Sequence, residues 1–170
     1  MSMDPRTCLS MAVVVLLSAC GFTPLYKQNQ TINVPEDFRQ IEIARIPDKI
    51  GLDLENKLIE KLQSQGQKKP FLYRLQVALS EEKSSLAVKK SAFATRANLT
   101  IRAHYQLQSI DDPESVFNAQ SRSSVSYDLL TDQYATLAAE KNARTRAVLE
   151  LSEKIKIQLA AFFQRLKRTQ

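Results

Sequence analysis

One stretch of this chain leaves little freedom over what it can fold into. Ala97, Leu99, Ile101, Ala103, Tyr105 and Leu107 alternate with Arg96, Asn98, Thr100, Arg102, His104 and Gln106. A repeat of two residues is the period of a β-strand, whose side chains point to opposite faces in turn. A helix would scatter these apolar residues around its whole circumference. The segment therefore reads as a strand in a sheet with one apolar and one polar face. The apolar face needs a cover, and the polar face meets water or a polar partner.

Two segments can supply the cover. Between Ile50 and Gln65, the residues Leu54, Leu58, Ile59 and Leu62 recur at helical spacing, with Lys61 near the end and Gly66 beyond. Glycine suits the point where a chain leaves a helix, and a late basic residue complements the helix dipole. Asp132 is a good N-cap type. After it, Leu137, Val148, Leu151, Ile155, Leu159, Phe162 and Leu166 form a second apolar stripe. Ala138, Ala139, Ala143 and Ala147 favour the helix and permit close packing. A helix from Asp132 to Lys167 is roughly 50 Å long. In a domain this small, that length predicts a frayed or projecting end.

Three more strands follow from the same period. Residues 39–46 alternate around Ile41 and Ile43 and stop at Pro47-Asp48. Phe71, Tyr73, Leu75, Val77 and Leu79 alternate with more polar neighbours. After the turn at Asp111-Asp112-Pro113, residues 116–127 are serine-rich and read as an edge strand. The order is β-α-β-β-β-α. It predicts an α+β fold: a two-layer sandwich, with a four-stranded mixed sheet and two helices on one face. The first βαβ passage predicts a parallel pair, and the other neighbours should be antiparallel.

The N-terminus carries an address. Met11 through Leu17 are apolar, preceded by Arg6 and followed by Ser18, Ala19 and Cys20. The run is well short of the ~20 apolar residues that span a bilayer. Leu17-Ser18-Ala19-Cys20 has the residue types and spacing of a bacterial lipobox. Residues 1–19 are expected to leave as a signal peptide, and Cys20 to be acylated. Residues 20–37, with Pro24 and Pro35, read as an extended tether, and residues 38–170 as a single domain. Gly21, where an aspartate would favour retention at the inner membrane, favours a periplasm-facing place on the outer membrane. Cys8 leaves with the signal, so no free thiol remains for a disulfide, a nucleophile or a metal.

Little else suggests catalysis. There is no glycine-rich phosphate loop and no paired-histidine metal motif. His104 is the one histidine and stands on the polar face of its strand. Glu81 and Glu82 are adjacent on a strand and point to opposite faces, so they cannot converge. No cofactor, metal or catalytic residue is expected, and the chain reads as a binding protein. The formal charge is +6. Residues 134–170 hold eight basic side chains against three acidic ones, Glu140, Glu150 and Glu153. A second local imbalance runs from Lys83 to Arg102, with five basic residues and no acid. Nucleic acid is not the expected partner beyond the inner membrane, where lipopolysaccharide phosphate and anionic lipid are the abundant polyanions. Lys83, Lys89 and Lys90 stand beside Ala87, Val88, Ala92 and Phe93. That mixture suits a phosphorylated lipid: cations for phosphate, small apolar groups for acyl chains.

The lipobox, Cys20-Gly21-Phe22, the element order and the long alanine-rich last helix together resemble the LptE family. So do Ser126-Tyr127-Asp128, Tyr134-Ala135-Thr136 and Ala139-Glu140-Lys141-Asn142-Ala143-Arg144, in the alphaproteobacterial form of the family. The resemblance implies a non-catalytic outer-membrane lipoprotein that plugs the LptD-type barrel one to one. Such a plug assists barrel assembly, binds lipopolysaccharide and helps insert it into the outer leaflet. The resemblance further implies lipopolysaccharide contacts at Lys89, Lys90 and Arg96, and a second basic position at Lys141. The alternative reading is a lipoprotein subunit of another outer-membrane assembly or envelope-maintenance complex, with a protein ligand.

Overall fold

In the computed structural model, which describes residues 36–88, 94–112 and 115–169, the alternating segment runs through the middle of a sheet. A 3-10 helix, Glu36–Gln40, leads into β1 (Ile41–Ile43) and α1 (Asp48–Leu62). Then come β2 (Tyr73–Val88), β3 (Ala94–Ser109), β4 (Ser115–Asp128) and α2 (Gln133–Thr169). The expected signal segment, Cys20 and the tether up to residue 35 lie outside the described residues. Lys89 and Lys90 do as well.

The strand order is β1-β2-β3-β4. β1 pairs parallel with β2, and the two other pairs are antiparallel. The predicted α+β fold, its element order and its pairing senses are therefore those observed. Register carries the alternation across the sheet. Leu75 sits opposite Leu107, and Leu99 opposite Val125. Leu75, Leu99, Ile101, Ala103 and Leu107 are fully buried beneath the helices.

On α1 the buried residues are Gly51, Leu54, Leu58 and Leu62, while Ile59 is 38% exposed. Helical spacing admits Ile59 to the stripe, but the sheet meets only a narrower arc. Gly51 is where α1 crosses the chain that enters it. A Cβ added there would lie 2.8 Å from both Cγ2 and the carbonyl oxygen of Ile46. Gly66 takes φ +84° in the turn after the helix, a conformation glycine adopts without steric cost.

The long helix runs along the sheet and is docked at its C-terminal end. α2 has 37 residues and is roughly 55 Å long. β2 and β3 have 16 residues each and run roughly 53 Å. The helix is as long as the sheet it covers. Ala143, Ala147, Leu151, Ile155, Leu159 and Phe163 are buried along it. Leu137 is exposed, and at the far end Phe163 takes the central place expected of Phe162. Phe163 packs edge-on against Phe38 of the 3-10 helix, with centroids 5.8 Å apart, and against Tyr73 at 5.3 Å. Lys167 Nζ lies 2.7 Å from Asp37 Oδ2, a charge contact at an angle unsuited to a hydrogen bond. The C-terminal end of α2 is thus docked by a short helix that periodicity does not reveal.

Candidate functional site

The polar and charged groups sort into two populations, one on each side of the sheet. On the helix side, four charges interlock where the apolar parity of β2 runs out. Glu81 and Lys83 continue the face of Leu75, Val77 and Leu79. Glu140 and Arg144 stand one turn apart on α2, where side chains meet. Arg144 donates from Nε and Nη2 to the two Glu81 carboxylate oxygens, at 3.0 and 2.9 Å. Lys83 Nζ donates to Glu140 Oε1 at 2.5 Å, and Arg144 also bonds Glu140. The Arg144 hydrogen bond holds the Glu81 carboxyl below the usual carboxylate range, against the opposing effect of burial. The Lys83 hydrogen bond does the same for Glu140. In return the Glu81 hydrogen bond raises the Arg144 guanidinium further. Two cations meet two anions, so Lys83 and Arg144 are committed rather than free for a ligand.

Lys141 lies close by, exposed on α2. It lines a cleft of about 300 Å³ with Lys49 and Arg144, but also with Asp48, Asp53 and Glu81. That cleft is balanced in charge rather than basic. Arg96 falls elsewhere. It follows the parity of Asn98, away from the helices, and its guanidinium lies 3.3 Å from Asp128, its register partner on β4. Arg96 and Lys141 therefore stand on opposite sides of the sheet and form no single cluster. The basic excess of α2 is also largely paired. Lys154 meets Glu150 at 2.6 Å, Lys156 meets Glu153 at 3.8 Å, and Lys167 meets Asp37.

Facing away from the helices, the sheet presents a polar surface. Asn98 Nδ2 donates to Ser124 Oγ at 2.7 Å, and Thr100 Oγ1 is 3.0 Å from the same oxygen. Arg102 pairs with Glu82 at 2.8 Å, and Arg74 with Glu42 at 2.8 Å. Further down, Gln76, Gln106 and Gln108 are joined amide to amide. His104 is exposed on this face.

One arrangement joins groups that the local pattern of the sequence does not connect. The edge of β4 is guarded by α2: Lys154 Nζ donates to the Arg122 carbonyl at 2.7 Å, and Arg146 to that of Ser126 at 3.4 Å. Between them Ser123 Oγ donates to Glu150 at 2.6 Å. The i, i+4 spacing of Arg146, Glu150 and Lys154 is legible, but it reads as a solvated helix face. Among the described residues no three His, Cys, Asp or Glu side chains could hold a metal ion. No described helix is long and apolar enough to cross a membrane.

A family model described as LptE, Lipopolysaccharide-assembly, matches residues 31–159. Among curated proteins none matches the chain. Several solved structures share the fold. A lipoprotein from Caulobacter crescentus superposes with a TM-score of 0.62 at 24% identity, covering 77% of this chain and 96% of that one. A minor lipoprotein from Acinetobacter baumannii gives 0.60 at 18% identity, over 72% of this chain and 92% of the other. The rare lipoprotein B of Shewanella oneidensis gives 0.58 at 9% identity, over 75% and 98%.

Proposed function

This chain belongs to the LptE lipopolysaccharide-assembly family, and on that premise we propose that it is a non-catalytic, lipid-anchored plug of an LptD-type outer-membrane barrel. It is a lipoprotein of lipopolysaccharide assembly. Acylated Cys20 tethers the domain to the inner leaflet of the outer membrane. The domain assists folding of the barrel, binds lipopolysaccharide and helps pass it to the outer leaflet.

The observation that carries this reading is the family match over residues 31–159, which takes in the whole sheet, α1 and most of α2. The polar sheet face supports it. The lumen of a large barrel is polar, and a plug within it must offer polar groups at its surface. The lysines at the β2–β3 connection, Lys89 and Lys90, remain the proposed phosphate contacts, with Arg96 near the start of β3, just past that connection. Lys141 is a separate basic position on the other side of the sheet.

Mild detergent extraction tests the complex. The lipoprotein should co-purify one to one with a large β-barrel, and recovery as a free lipoprotein would overturn the plug. Depletion separates the alternative reading: loss of surface lipopolysaccharide supports this proposal, whereas loss of other barrels without it points to a different assembly machine. Reversing Lys89 and Lys90 to glutamate should weaken lipopolysaccharide binding and spare barrel binding. Unchanged lipopolysaccharide affinity would reduce both lysines to aids to solubility.

A further inference from the structure

On the open face of the sheet, two neighbouring cross-strand rows form a shallow depression of about 650 Å³. One row is Gln76, Gln106 and Asn118; the other is Ala78, His104 and Gln120. Ala78 ends at its Cβ and leaves the hollow. Around it stand primary amides and one imidazole, with no carboxylate. The amides are ordered before any ligand arrives. Gln106 Nε2 donates to Gln76 Oε1 at 2.8 Å, and Gln76 Nε2 donates to Gln108 Oε1 at 3.1 Å. Asn118 and Gln120 are exposed and make no side-chain hydrogen bond among the described residues.

The chemistry of these groups selects a ligand class. An amide offers two donors and a carbonyl acceptor side by side. A row of them matches groups that both donate and accept, which is what sugar hydroxyls do. An apolar ligand would strand the amides at a cost. The next row along the strands adds a charge. It holds Ser80, Arg102 and Arg122, with Arg122 two residues beyond Gln120 on β4, about 7 Å away. Arg102 is neutralised by Glu82. Arg122 is exposed and makes no ion pair among the described residues. It stands directly opposite Arg102, whose charge Glu82 already answers, so Arg122 is the cation of this row left to meet an anion. Its guanidinium fork fits phosphate oxygens.

The geometry points to a binding site for a phosphorylated saccharide on the open sheet face. The hydroxyls lie on Gln76, Gln106, Asn118 and Gln120, and the phosphate on Arg122. For the source of its ligand this inference rests on the lipopolysaccharide reading above, to which it adds a place for the sugar-phosphate headgroup.

The full mature lipoprotein in detergent is titrated calorimetrically with intact lipopolysaccharide, its fully deacylated phosphorylated oligosaccharide, the same oligosaccharide after phosphatase, and glucosamine 6-phosphate. The deacylated form should bind. Gln106→Ala with Gln120→Ala, and separately Arg122→Gln, should each weaken it about tenfold, with circular dichroism unchanged. Removing the phosphate should reproduce the Arg122→Gln loss and leave that variant with nothing further to lose. If intact lipopolysaccharide binds but the deacylated form does not, the inference fails while the broader reading stands. If only glucosamine 6-phosphate binds, the site is real and the lipopolysaccharide reading fails. Variants that keep wild-type saccharide affinity but lose the barrel make the face a protein interface and overturn the proposal.

Discussion

Arg144 on α2 clasps Glu81 on β2 through two hydrogen bonds of 3.0 and 2.9 Å, across 63 positions of sequence. This contact fixes the start of the long helix over the sheet at the point where apolar packing gives way to charge. Arg144→Ala should lower stability by about 1 kcal/mol, a modest figure because the pair is partly exposed and screened by water. Chemical denaturation with the midpoint and slope both recorded checks it; an unchanged midpoint would make the clasp ornamental.

The same network predicts an acid dependence. Glu81 and Glu140 both have carboxyls lowered by their cations. A carboxylate with a depressed folded value contributes stability above its unfolded value, about 4.3, and loses it as pH falls through the folded value. Glu140→Gln should therefore be less stable than the parent protein at pH 7. The gap should close as pH drops below about 4. Thermal melts across pH 3 to 7 would show the two curves converging; a constant gap would refute the linkage.

Gly51 is held by steric contact rather than by φ. Because a Cβ would strike the backbone of Ile46 at 2.8 Å, Gly51→Ala should destabilise by about 1–3 kcal/mol even though alanine is the better helix former. A raised Tm in this variant would mean that α1 can shift away from the entering chain without loss.

Phe163 and Phe162 are neighbours with different burdens. Phe163 is 2% exposed and touches rings from three elements, so Phe163→Ala should cost about 3–5 kcal/mol. Phe162 is half-buried, against Phe117 at 5.0 Å, and its loss should be milder. If the two variants unfolded at the same denaturant concentration, the docking of the helix end would be wrongly assigned.

Guarding of the β4 edge predicts a change in association rather than in stability. An edge strand with bare carbonyls is a template for another strand, and lysine is a common guard. Lys154→Ala with Arg146→Ala frees the carbonyls of Arg122 and Ser126. The double variant should keep its Tm within a few degrees and self-associate at lower concentration in light scattering. Persistent monodispersity would show that the edge is blunted by other means.

The sequence by itself determined the sheet. Alternation from Arg96 to Leu107 fixed which side chains face the core, because a strand has only two faces. Helical spacing at Leu54, Leu58 and Leu62, and from Leu151 to Leu159, named the cover. Local periodicity carries that information whatever the distant partner is. It carried less about ends and exact faces: Ile59 and Leu137 have the right spacing but reach beyond the sheet, and Phe163 rather than Phe162 fills the far core. The length of α2 looked excessive until the 16-residue strands beneath it supplied a matching span. Charge was the least legible. The lysines and arginines of α2 read as a basic segment, yet Arg144 and Lys167 close ion pairs with Glu81 and Asp37, carboxylates far away in the chain. The amide hollow at Gln76, Gln106 and Gln120 exists only because three strands lie in one register. Which groups share a face is set by local period; which groups meet is set by long-range pairing, and only the tertiary structure decides that.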